Sequence, residues 1–172
     1  MHIFLTGRVQ VGKSTVIRRL LAETDGKIGG FKTKWVPIEN GKLLVMMPYT
    51  QDENTYVEEN VASRQIGTER TIYPEVFDTM GRRILEDSTS CDIIVMDELG
   101  AMETRSLSFQ KAVTDVLDGK TPVIGVIQPK ETPFLNALRA RKDVHIITVN
   151  VENREEVYAS LSRDGVINKT AK

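Results

Sequence analysis

The chain has 172 residues, of which one is cysteine (Cys91) and two are histidine. A single thiol excludes an intrachain disulfide and a cysteine-based zinc site. It suits a reducing compartment, so a cytoplasmic location is expected. The two histidines, His2 and His145, fall in or beside expected strands, and nothing in their spacing points to a metal. No stretch reaches the roughly 20 apolar residues needed to cross a bilayer, so no membrane partner is expected. The formal net charge is -1, which leaves no global basic field and no clear nucleic-acid surface. Repeats and low-complexity tracts are also lacking. Met1-His2-Ile3-Phe4-Leu5 runs into a glycine-rich loop with no basic leader and no small-residue cleavage site, so no secretory signal is expected.

Apolar residues make up 40% and charged residues 27%, the balance of an ordinary globular domain. The length suits one core. A single domain is expected over residues 1–165, with a loose tail over 166–172.

Short apolar runs alternate with amphipathic segments. Ile3-Phe4-Leu5, Asp92 to Asp97, Pro122 to Ile127 and Val144 to Val149 read as strands. Phe31 to Val36 alternates. With the turn Glu39-Asn40-Gly41-Lys42, it pairs as a hairpin with Leu43 to Met47. Helical faces follow: Val16, Ile17, Leu20 and Leu21; then Val76, Phe77, Met80, Ile84 and Leu85; then Phe109, Ala112, Val113, Val116 and Leu117. Pro74 opens the second of these. Thr132-Pro133 reads as a helix cap and first turn, and Asn153 as the cap of a last helix carrying Val157 and Leu161. Residues 48 to 70 are polar with weak periodicity and read as a long loop or short strands. The alternation predicts an α/β fold with a mostly parallel sheet covered on both faces. Ligands then bind at the carboxyl ends of the strands.

At one such end stands Gly7-Arg8-Val9-Gln10-Val11-Gly12-Lys13-Ser14, followed by Thr15. It meets the pattern G-x-x-x-x-G-K-[ST] in full. Glycines let the backbone approach a ligand closely, and successive N–H groups turn inward as an anion nest. The helix start adds partial positive charge. Lys13 would reach the β- and γ-phosphates of a nucleoside triphosphate, and the Ser14 hydroxyl would bind Mg²⁺.

Asp97-Glu98 closes another apolar strand. Asp97 is placed to hold the metal, mostly through its waters. Glu98 is placed to orient or deprotonate a water for in-line attack. Alone, acids at a strand end often only solvate a loop or cap a helix. Arg8, Arg64, Arg105, Arg139 and Arg141 are candidates for a helping charge, or plain surface charges. Gln128 ends a strand and is either a γ-phosphate sensor or a polar end residue. Asn150, Asn153 and Arg154 follow the last strand, where they either contact a base or cap a helix.

Together these stretches resemble the thermostable nucleoside-triphosphatase family. The resemblance rests on His2 to Gly7 with Val11 to Thr15, on Gly30-Phe31-Lys32-Thr33, and on Ile94 to Glu103. Ile124 to Ile127, Arg141 to Val144 and Val151 to Arg154 extend it. It implies one P-loop domain, a three-layer α/β/α sandwich with an added β-hairpin. It also implies an extra strand between the phosphate-loop strand and the acidic strand. The implied activity is slow Mg²⁺-dependent hydrolysis of several nucleoside triphosphates, ATP and GTP among them, to diphosphates. Lys13, Ser14, Asp97 and Glu98 take the phosphate, metal and base roles. Glu103 matches an acidic residue of the family. The chain departs from the family at Gln10, where glycine is usual, at Val9, where proline is common, and at Ala101, where lysine is usual. Gln10 must then adopt the backbone conformation of that glycine, or the loop tip must shift.

A small-molecule or nucleotide kinase of the same fold is the alternative. Arg139-Ala140-Arg141-Lys142 is short for a kinase lid and runs directly into a strand. A GTP switch would carry a base-reading Asn-Lys-x-Asp, which the sequence lacks. Base preference, pathway and oligomeric state are not readable from the sequence.

Overall fold

The computed structural model describes residues 1–52 and 56–165. The expected loose tail over 166–172 lies outside the described residues. The chain starts with β1 (His2–Thr6) and α1 (Lys13–Leu21), then β2 (Ile28–Ile38) and β3 (Gly41–Pro48). A 3-10 turn over Glu58–Asn60 leads to β4 (Val61–Ile66) and β5 (Glu69–Ile72). Next comes a helical stretch of α2 (Pro74–Val76), a π-turn (Phe77–Gly81) and α3 (Arg82–Asp87). β6 (Ile93–Leu99), a 3-10 turn (Met102–Arg105) and α4 (Leu107–Asp118) follow. The remaining elements are β7 (Val123–Ile127), α5 (Pro133–Arg139), β8 (Val144–Thr148) and α6 (Arg154–Arg163).

Among the described residues the strands form one sheet in the order β5-β4-β3-β2-β6-β7-β1-β8. From β2 to β8 every pairing is parallel, and from β5 to β2 every pairing is antiparallel. β7 lies between β1 and β6, the extra strand that the family resemblance implies. Strand side chains alternate between two layers. Ile3, Leu5, Ile93 and Val95 pack with Val16, Ile17 and Leu20 of α1 and Leu161 of α6. Phe4, Phe31, Ile94 and Met96 pack on the other face with Phe77, Leu85, Phe109, Val113 and Leu135. Continuous apolar strands are therefore buried on both sides, as parallel strands require.

The expected hairpin is present as β2 and β3, with Trp35 opposite Leu44. Residues 48 to 70 hold a second antiparallel pair, β4 and β5, rather than one loop. Residues 53–55 of that stretch lie outside the described residues. β6 runs past Asp97 and Glu98 to Leu99, so the strand extends two residues beyond its expected end at Asp97 and both acids lie within it. Thr132 caps α5 as expected, accepting the Leu135 N–H at 3.2 Å. Asn153 does not cap α6 with its side chain. Its Oδ1 accepts the Asn150 N–H at 2.8 Å and its Nδ2 donates to Thr148 O at 2.9 Å. The loop after β8 has captured the side chain that the helix end would have used.

Candidate active site

The loop between β1 and α1 follows from three unusual backbone conformations. Gly7 has φ 138°, Gln10 φ 64° and Gly12 φ 102°. At Gly7 a Cβ would stand 2.2 Å from the Val149 carbonyl oxygen, so glycine is required there for space as well as conformation. Gln10 takes up a left-handed conformation, one that glycine adopts freely and other residues do not. A side chain in that region costs about 1–2 kcal/mol. Val9 is 86% exposed at the tip. Lys13 is buried; its Nζ donates to Gly7 O at 3.0 Å and Arg8 O at 2.7 Å, lying back across the loop. Ser14 and Thr15 are exposed at the start of α1, with free N–H groups of the first helical turn beside them.

The acidic pair is held by β2. Lys32 lies opposite Asp97 in the parallel register. The next residue, Thr33, donates its hydroxyl to Asp97 O at 3.5 Å and accepts the Glu98 N–H at 3.4 Å. The Asp97–Glu98 peptide is cis. Gln128, at the end of β7, donates its Nε2 to Glu98 Oε1. Its backbone oxygen accepts Arg139 Nη2 at 2.5 Å.

These groups share one cavity of about 450 Å³. The loop lines it with Gln10, Gly12, Lys13, Ser14 and Thr15, and the strand ends with Asp97, Glu98 and Gln128. Thr33, Trp35 and Leu44 of the hairpin complete the wall. A neighbouring cleft of about 450 Å³ also has Ser14 and Asp97 on its lining. A hydroxyl and a carboxylate are hard oxygen donors of the kind magnesium takes. Among the described residues no group of three His, Cys, Asp or Glu could hold a metal. Magnesium needs none, since it binds through one or two protein groups, waters and substrate phosphates.

The other sequence candidates scatter. Arg8 lies in the loop and is exposed. Arg64 pairs with Glu58 at 2.8 Å on β4, away from the loop. Arg105 is exposed on the 3-10 turn. Arg141 is engaged by Asp143 at 2.7 Å and Asp118 at 2.8 Å. Asn150 accepts the N–H groups of Glu152 and Asn153, so both asparagines are used in folding their own loop. The Arg154 side chain packs beside Gly12. Sequence reasoning missed the wall residues Trp35 and Leu44. The alternation that puts Trp35 on the same face as Thr33 was the available signal.

Glu103 is 2% exposed and accepts the Gly100 N–H at 2.9 Å. Burial pushes its carboxyl up to about 7. The nearby charge of Glu98 adds to the rise, against backbone hydrogen bonds and Lys130 that pull it down.

A loop of this shape, on a sheet where an acid-ended strand stands one strand away, defines the P-loop nucleotide-hydrolase class. The sequence signature of the NTPase family matches residues 2–162. The nucleoside-triphosphatase THEP1 of Methanocaldococcus jannaschii is 30% identical over 94% of this chain and 95% of its own length. That of Methanosarcina acetivorans is 31% identical over 91% of this chain and 92% of its own. In fold, the chain resembles the crystal structure of THEP1 from Aquifex aeolicus, with a TM-score of 0.72 and 21% identity over 94% and 96% of the two chains. It also resembles the solution structure of a human cancer-related nucleoside triphosphatase, with a TM-score of 0.69 and 24% identity over 99% of each chain. The chain belongs to the THEP1 family of nucleoside-triphosphatases.

Proposed function

We propose that this chain, acting through residues 1–165 as one domain, hydrolyses nucleoside triphosphates to diphosphates and phosphate with Mg²⁺ and broad base tolerance. The observation that carries this reading is the shared cavity: the loop from Gly7 to Ser14 and the pair Asp97-Glu98 face the same space. Backbone N–H groups from Arg8 to Thr15 and the α1 start bind the phosphates. Lys13 leaves its two carbonyl partners and donates to β- and γ-phosphate oxygens. Ser14 and Asp97 hold the metal, which when bound neutralises charge developing on the phosphates. Glu98 takes the proton of the attacking water. Gln128 occupies Oε1 of Glu98 and leaves Oε2 for that task. Broad base tolerance is supported by Asn150 Oδ1 and by Asn153 Oδ1 and Nδ2, which are engaged within their own loop.

A kinase gains no support. Arg139 and Arg141 of the basic cluster bind Gln128 O, Asp143 and Asp118 rather than forming a lid. A cytoplasmic site of action suits Cys91, a free and buried thiol. No described helix is long and apolar enough to cross a membrane.

A phosphate-release panel over ATP, GTP, CTP and UTP, with Mg²⁺ or with a chelator, tests the reading. Release is expected from all four nucleotides, within about tenfold of one another, and lost with chelator. Release from one base alone would contradict base tolerance, and release in chelator would contradict the metal role.

A further inference from the structure

The phosphate loop has a second neighbour, on the side away from the acids. In the sheet, β6 and β7 lie on one side of β1, and β8 lies on the other. α6 starts a few residues after the carboxyl end of β8. A γ-phosphate within reach of Glu98 and Gln128 leaves the rest of the nucleotide to run toward β8 and the start of α6. The loop after β8 abuts the phosphate loop there. A Cβ at Gly7 would stand 2.2 Å from the Val149 carbonyl oxygen.

Arg154 is the first residue of α6. A methyl group at Gly12 would come within 3.3 Å of its Cδ and 3.6 Å of its Nη1. Gly12 immediately precedes α1, so the guanidinium lies beside the helix start whose N–H groups face the phosphates. The loop before Arg154 fixes its place. Asn153 Oδ1 accepts the Asn150 N–H at 2.8 Å, and Asn153 Nδ2 donates to Thr148 O at 2.9 Å. The neighbouring carboxylate is committed elsewhere. Glu155 takes Arg19 Nη1 at 3.1 and 2.8 Å through its two oxygens. It stands 3.8 Å from Arg154 Nε. Among the described residues that ion pair is the only polar contact of the Arg154 side chain, which is 46% exposed. A guanidinium has five N–H donors, and here they have little to bind.

We propose that Arg154 is a substrate-binding residue whose guanidinium donates to the α-phosphate oxygens of the bound nucleotide. The proposal rests on the nucleotide site of the hydrolytic reading and assigns its other end. The α-phosphate takes no part in the bond that breaks, and substrate and diphosphate product both carry it. Arg154 therefore holds triphosphate and diphosphate equally, which lowers KM and leaves the chemical step alone. Its planar fork of donors matches phosphate oxygens. Every nucleoside triphosphate offers that handle, whatever its base.

Calorimetric binding of ADP, GDP and inorganic tripolyphosphate with Mg²⁺ tests this, beside the kinetics of phosphate release from ATP and GTP. The proteins are the wild type, Arg154→Gln and Arg154→Lys. In Arg154→Gln the dissociation constants of all three ligands are expected to rise about tenfold, the worth of one charge-assisted contact. KM for ATP and GTP is expected to rise by a like factor, with kcat within about twofold of the wild type. Arg154→Lys keeps the charge and loses the fork, and a rise of about threefold is expected. That variant decides the matter alone should Arg154→Gln not fold. Unchanged dissociation constants would overturn the proposal. Weaker ADP and GDP with tripolyphosphate unaffected would also overturn it, by placing Arg154 on the ribose or base. A fall in kcat with KM unchanged would overturn it by moving Arg154 to the γ-phosphate. If the wild type releases no phosphate, the hydrolytic reading fails, and the binding of ADP and GDP still decides this proposal. No binding of either by the wild type would overturn both.

Discussion

Glu103 gives the residue scale its clearest physics, because one carboxyl links stability to pH. Its folded-state proton affinity lies above the ordinary value of 4.5, at about 7. The folded chain then binds the proton more tightly than the unfolded chain. Stability from this group is full below about pH 4.5 and is lost as pH rises through 7. Glu103→Gln removes the cost of ionising a buried group. It is expected to be more stable than the wild type at about pH 8, by roughly 1–3 kcal/mol, and equal at about pH 4. Thermal unfolding at the two pH values checks this, and a variant destabilised at both would contradict it. The residue sat in plain view in the sequence, but its burial did not. Glutamate is ordinarily a surface residue, and only the turn after β6 takes this one inside. Gln10 was legible in part. The pattern demanded an unusual backbone there, and the structure has it at φ 64°.

At the scale of elements, legibility tracked burial. The runs Ile93 to Met96 and Val123 to Ile127 are buried on both faces and read directly as strands. β5, at the sheet edge, is almost wholly exposed and carries little apolar pattern. That is why residues 48 to 70 read poorly. The π-turn at Phe77–Gly81 was also hidden. It inserts into a helical pattern whose apolar residues still fall on one side. That turn is tied to α4 through Ser106. Its hydroxyl donates to Asp78 at 2.5 Å and accepts the Phe109 N–H at 3.2 Å as the helix cap. The same contact holds Asp78 below the usual carboxylate range, with Ser108 assisting. Ser106→Ala is expected to cost about 1–2 kcal/mol, combining a lost cap and an orphaned partner. A lower urea midpoint with an unchanged slope would report that loss, and an unshifted midpoint would contradict the linkage.

At the scale of the molecule, the sheet order assembles the site. β1 delivers the phosphate loop, and β6 delivers the acids one strand away, across β7. β2 then reaches over with Thr33 to hold the Asp97–Glu98 backbone. The loop motif was readable because its eight residues are contiguous. The contacts of Thr33 and Gln128 with Glu98 were not, since they depend on register between strands 65 and 30 residues apart in sequence. Periodicity gives elements but not their order, which came from resemblance to a family. Gly7 to Ser14 and Asp97-Glu98 are far apart in the chain and meet in one cavity. That meeting is the central claim, and Lys13→Ala tests it most directly. Phosphate release and nucleotide binding are measured together with Mg²⁺. Release is expected from the wild type, with a loss of at least about a hundredfold in the variant. Equal release from both proteins would contradict it.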